Sequence, residues 1–161
     1  MTPLRRTSRQ ILTPLLTPFE HGQVDRDRLA AAVDRQVAAG IDGILLGDVI
    51  GEGPTLTPHE RDAILTLGVA RGGLHLAVIA ATGTNCTRTT IERSRRAEDL
   101  GADALLVTVP FYSKPSLAGV IHHFREVAAA VRCPILIDDD PMRTGRDYGP
   151  ALLAQLVDCD T

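Results

Sequence analysis

The chain has 161 residues, 44% of them apolar and 23% charged, which supplies enough aliphatic surface for one folded domain and excludes a disordered tail. A formal net charge of −3, with arginines and carboxylates interspersed, excludes the basic stripe that a nucleic-acid backbone demands. No stretch approaches the roughly 18 consecutive apolar residues of a membrane span, and Met1 to Gln10 carries arginines without an apolar signal core, so a cytoplasmic protein with no membrane partner is expected.

Residues 1–10 read as an N-terminal extension and residues 11–161 as one domain, since no linker, low-complexity tract or charge block divides them. The first strand is expected over Ile11 to Leu16. Asp25 then caps a helix with apolar positions Leu29, Val33 and Val37, ending at Gly40. A second strand covers Gly43 to Gly47. Thr57-Pro58-His59-Glu60 is a capping box with proline at the first helical position, and the helix that it opens closes at Gly72-Gly73. The third strand is Leu76 to Ala80, followed by a helix from Thr87 or Thr89 to Gly101. The fourth is Ala104 to Val109, followed by a helix from Ser116 to Val131, and the fifth is Pro134 to Ile137. Pro150 suggests a final helix, Ala151 to Val157. The strands recur about every 30 residues, are apolar on both faces and alternate with helices, which predicts an α/β fold with a parallel sheet covered by helices.

In such folds the loops after the C-terminal strand ends form the ligand site. Those loops hold Thr17-Pro18-Phe19, Asp48 to Gly53, Thr82-Gly83-Thr84-Asn85, Pro110 to Pro115, and Asp138 to Gly145. Glycines in the second and third of these let backbone N–H groups approach an anion such as a carboxylate, and Arg143 could add a bidentate clamp. Cys86, Cys133 and Cys159 are odd in number and lack a Cys-x-x-Cys pair, so neither a disulfide framework nor a zinc site is indicated. His122 and His123 have no metal-spaced partners and read as surface or interface residues.

Taken in order, Leu16-Thr17-Pro18-Phe19, Gly51-Glu52, Ala81-Thr82-Gly83-Thr84-Asn85, Pro110-Phe111-Tyr112-Ser113-Lys114-Pro115 with His123-Phe124, and Pro141-Met142-Arg143-Thr144-Gly145 resemble the dihydrodipicolinate synthase and N-acetylneuraminate lyase family of Schiff-base aldolases. The resemblance runs from Ile11 to Val157. It implies a TIM barrel, incomplete here with about five strand-helix units, and assembly as a homo-oligomer. It further implies a lysine that forms a Schiff base with pyruvate or another small 2-oxo acid, with no metal and no other cofactor. By the same resemblance Tyr112 would complete a proton relay in a neighbouring subunit, Arg143 would recognise the second substrate's carboxylate, Gly51 and Glu52 would bind substrate in the loop that holds the keto-acid carboxylate, and Thr82 and Gly83 would form the floor of the site.

Three departures stand beside the matches. Val49 and Ile50 occupy the positions where the family carries paired threonines, and apolar side chains relay no proton. Asp138 stands where the family places a general acid/base tyrosine, so it is the candidate for that role, flanked by Asp139 and Asp140. The family's Schiff-base lysine lies on a sixth strand, a few residues beyond Val157, whereas the sole lysine here, Lys114, aligns with a basic loop position. The expected activity is therefore carbon-carbon bond synthesis or cleavage, with this chain inactive alone. The alternatives are a non-catalytic half-barrel that binds a small carboxylate or pairs with another subunit, and a divalent-cation site built from Asp48, Glu52 and Asp138 to Asp140. The runner-up fold is a flavodoxin-like open sheet.

Overall fold

The computed structural model describes residues 10–156. The fold is five strand-helix units of a parallel barrel. Strands β1 (Leu12–Pro14), β4 (Gly43–Leu46), β5 (Ala77–Ala81), β6 (Ala104–Thr108) and β7 (Ile135–Asp138) form one sheet in the order β1-β4-β5-β6-β7. Every neighbouring pair is parallel, with Leu12 beside Gly43, Ile44 beside Val78, Ala80 beside Leu105, and Leu106 beside Leu136. The expected strands are all present, with ends displaced by at most two residues.

Helices α1 (Arg26–Ala39), α2 (Pro58–Gly72), α3 (Thr87–Asp99) and α4 (Leu117–Ala130) connect consecutive strands of the sheet, and α6 (Gly149–Leu156) packs on α4. Their starts are chemically fixed. The Asp25 carboxylate accepts the Arg28 N–H at 2.9 Å and the Ser116 hydroxyl accepts the Gly119 N–H at 3.3 Å. The capping box forms as read: the Glu60 N–H donates to the Thr57 hydroxyl at 3.3 Å, while the Thr57 N–H donates to the Glu60 carboxylate at 2.7 Å.

Strand alternation divides the sheet into two faces. Ile44, Leu46, Val78, Ala80, Leu105 and Val107 point outward and are buried among Val33, Leu65, Ala97, Val120, Phe124 and Val127 of the helices. Leu12, Leu45, Ala77, Ile79, Ala104, Leu106 and Leu136 cluster on the opposite, concave face, which would be the barrel interior.

Two small elements escaped the sequence reading. Residues Phe19–Glu20 (β2) and Gln23–Val24 (β3) form an antiparallel hairpin whose two-residue turn, His21-Gly22, has positive φ at both positions. Phe19, expected in the mouth of the site, instead packs beside Leu29, Leu56 and Ile64. The segment after β7 is not an open loop either. Asp140 accepts the Met142 N–H at 3.0 Å and caps a one-turn helix, α5 (Pro141–Thr144). No helix among the described residues is long and apolar enough to cross a membrane.

Candidate functional site

The loops after β1, β4, β5, β6 and β7 gather at one end of the sheet. The loop after β4 is held by its own polar groups: the buried Thr17 hydroxyl donates to the Gly51 carbonyl at 2.6 Å, and the Gly51 N–H donates to the Asp48 carboxylate at 2.9 Å. A Cβ on Gly51 would lie 2.8 Å from the Leu15 carbonyl oxygen, so the backbone approaches β1 as closely as it does only because that residue is glycine. Glu52 follows in the left-handed region (φ 57°) and is exposed. Thus the N–H expected to bind a ligand carboxylate is already bonded to a carboxylate of the protein.

Asp48 lies within electrostatic range of residues at and beyond the end of β7. Burial raises its carboxyl above the ordinary range, opposed by the Gly51 N–H bond and by Arg143, and assisted by Asp138. Residues after β4 and after β7 sense one another although β5 and β6 lie between them, because the sheet curls. Arg143 is paired with Asp140 at 3.0 Å. At the end of β7 the Asp138 carboxylate accepts the hydroxyl of Thr108 at 2.9 Å, its register partner on β6. Asp139 is pushed upward, chiefly by burial and then by Asp147, Asp138 and Asp140, and its Oδ1 is buried without a partner.

Thr82 and Gly83 are placed otherwise than a ligand floor requires. The Thr82 hydroxyl is hydrogen-bonded to Ser94 of α3 at 2.8 Å, on the helical side of the sheet. A Cβ on Gly83 would lie 2.3 Å from the Thr108 nitrogen, so the missing side chain accommodates β6. Tyr112 is 89% exposed with φ 66°, on a turn that also puts Lys114 at positive φ. The Lys114 ammonium group lies over Gly145 at the end of α5. Val49 and Ile50, in place of hydroxyl residues, are both partly exposed at the mouth.

No group of three or more His, Cys, Asp or Glu side chains among the described residues could hold a metal ion, so the acidic residues at the mouth do not converge into a cation site. His123 departs from its surface reading. It is buried between α3 and α4, with Nδ1 2.9 Å from the Thr87 hydroxyl, and burial aided by His122 lowers it to about 4. The spacing held the signal: His123 lies three residues after Val120 and four before Val127, on the stripe that faces the core. Cys133 is half-buried, with burial first and Glu98 next pushing its thiol up to about 11, while Cys86 is exposed and Cys159 lies outside the described residues.

A parallel sheet covered by helices, curled so that its strand ends share one polar mouth, defines the first five units of a TIM-barrel protein. The chain belongs to the dihydrodipicolinate synthetase family, whose model matches residues 7–161. The 4-hydroxy-tetrahydrodipicolinate synthase of Moorella thermoacetica is 42% identical over 153 residues, covering 92% of this chain and 51% of that protein. The crystal structure of dihydrodipicolinate synthase from Aquifex aeolicus superimposes with a TM-score of 0.90 at 35% identity, over 93% of this chain and 51% of the other. A prophage protein of the family from E. coli K12, solved in complex with pyruvate, gives a TM-score of 0.88 at 36% identity over 92% and 50%. The chain spans about half the length of the curated relatives it matches.

Proposed function

We propose that this chain is the N-terminal, substrate-positioning part of a carbon-carbon lyase or synthase that acts on pyruvate or a similar 2-oxo acid, working in the cytoplasm as a homo-oligomer and without a cofactor. The observation that carries the reading is the family match over residues 7–161 together with a curled sheet whose mouth gathers Gly51, Asp138 and Arg143. Arg143 is the group for a carboxylate, and the N–H groups of Gly51 and Glu52, bonded in this structure to Asp48 and to the Val49 carbonyl, would join it on release from those partners. Asp138, hydrogen-bonded to Thr108, is the group at the mouth for proton exchange. Tyr112, exposed at positive φ, is the residue proposed to act in a neighbouring subunit, and its exposure supports that reading.

The covalent step needs an amine at the carbonyl of the 2-oxo acid. Lys114 is poorly suited to it: it is exposed, on the loop before α4, with its ammonium group over Gly145 at the end of α5. Borohydride reduction of this chain in the presence of pyruvate, followed by intact mass measurement, should therefore give no adduct. Joining the chain to the remaining half of the Moorella thermoacetica synthase should restore one. A folded chimera that stays unlabelled would overturn the assignment, and labelling of Lys114 in this chain alone would overturn its division of labour.

A second reading has an observation of its own. Among the described residues β1 and β7 each pair on one side only, leaving two sheet edges and the concave apolar face between them. A half-barrel that pairs with another copy would cover both. Light scattering tests this second reading: a well-behaved monomer removes it.

A further inference from the structure

Helices α2 and α3 do not close on one another along their length. Between them, on the helical side of the sheet, lies a cleft of about 330 Å³. Leu46, Leu65, Ala80 and Leu100 line its floor, Arg61 and Arg93 line it from the two helices, and the carboxylates of Asp62 and Glu92 also border it. The Arg61 guanidinium donates to the Gly53 carbonyl, but its Nε is buried with no acceptor. Among the described residues Arg93 meets no acceptor, and neither arginine is in an ion pair, whereas nearby Arg96 and Asp62 neutralise one another at 2.8 Å.

Two cations are thus half-buried over apolar side chains, in range of one another and short of acceptors. Burial lowers both, and Arg93 lowers Arg61 further, to about 10. An arrangement that holds like charges together out of water is uncompensated until an anion enters. Planar guanidiniums grip carboxylates through paired N–H bonds, and a cleft of this size with an apolar floor has room for a small organic body as well as a charged head.

We propose that the cleft between α2 and α3 is a binding site for an organic carboxylate with a short apolar tail, its head held between Arg61 and Arg93 and its tail lying on Leu46, Leu65, Ala80 and Leu100. The site lies on the helical side of β4 and β5, away from the concave face, with Gly47 and Thr82 at the strand ends bordering it.

Calorimetric titration of this chain with sodium hexanoate tests the proposal, with hexanol as the probe that keeps the tail and drops the charge. Hexanoate should bind, hexanol should not, and an excess of pyruvate should leave hexanoate binding unchanged. Arg93→Gln is the cleaner variant, because Arg93 has no protein acceptor to lose; it should weaken hexanoate at least about tenfold, as loss of one charge-assisted contact implies. Its unfolding midpoint without ligand should equal or exceed that of the parent chain, because one of two repelling charges is gone. The proposal fails if hexanoate binds no better than hexanol, if Arg93→Gln folds and binds as tightly as the parent, or if pyruvate competes.

Discussion

The two faces of the sheet are built from similar residues and have different fates. On the helical face Leu105 and Val107 are wholly buried against α4 and its neighbours, and Ile44 and Val78 are equally enclosed. On the concave face only Ala77, Ile79 and Ala104 are enclosed, while Leu12, Leu45, Leu106 and Leu136 are partly buried, although they too are aliphatic and alternate with the first set. The difference lies in what covers each face. A strand-helix unit brings its own outer cover, so five units complete the outer core, whereas a barrel interior is filled by side chains from opposite strands and needs the closed ring. The comparison implies that stability here resides in the outer layer.

The largest test is a pair of truncations. Leu105→Ala opens a cavity in the outer core and should cost about 3 kcal/mol, read from urea unfolding. Leu136→Ala, on the concave face of edge strand β7, should cost under about 1.5 kcal/mol, because its methyl groups already lie partly outside the core. Equal losses would mean that the concave face is covered in solution, as pairing requires.

Acid should attack the outer layer next. His123 has a folded value lowered from 6.5 to about 4, so the unfolded chain takes up the proton first. Stability from this group is complete above the unfolded value and is lost as pH falls from 6.5 towards 4. Over that window the loss should approach about 3 kcal/mol, and His123→Gln should flatten it while keeping a polar group near Thr87. An unchanged pH profile in the variant would place the acid sensitivity elsewhere.

How much of this was legible follows the same division. The five strands, the α1 cap and the α2 capping box could be read because apolar runs and capping residues are local signals. The orientation of Thr82 was also within reach, since alternation from the outward-facing Val78 and Ala80 puts its side chain on the helical side. Likewise Arg61 precedes the buried Ile64 and Leu65 by three and four residues, and Arg93 stands three after the buried Thr90 and four before Ala97. Arginine on a helix reads as solvated, which hid that stripe. The β2-β3 hairpin and the one-turn α5 could not be found by period, being too short to show one. The convergence of Asp48 with Arg143 depends on sheet curl, which no local pattern encodes.

Gly83 marks where the two faces meet the mouth, and Gly83→Ala tests whether it belongs to fold or to ligand. The added methyl would overlap the backbone of β6 at Thr108, and the strand ladder would have to move; a loss of about 2 kcal/mol is expected, in the range for overpacking. A variant of parental stability with impaired pyruvate binding would return Gly83 to the ligand floor.

The smallest expected effect concerns the mouth itself. Asp48 occupies the Gly51 N–H with a carboxylate, so an incoming 2-oxo acid meets a donor already in use and a like charge beside it. Burial holds Asp48 above the ordinary carboxyl range, which makes its protonation, and hence the loss of that repulsion, easier than for a solvated aspartate. Asp48→Ala frees the donor and removes the charge at once, at the cost of one loop hydrogen bond, about 1 kcal/mol of stability. Pyruvate binding to the variant, followed by calorimetry at neutral pH, should tighten by roughly fivefold, equivalent to about 1 kcal/mol. Lowering the pH should tighten pyruvate binding to the parent chain and leave the Asp48→Ala chain much less affected. If instead the substitution abolishes pyruvate binding, Asp48 holds the loop in the shape that the ligand needs, and its carboxylate supports the site rather than competing for it.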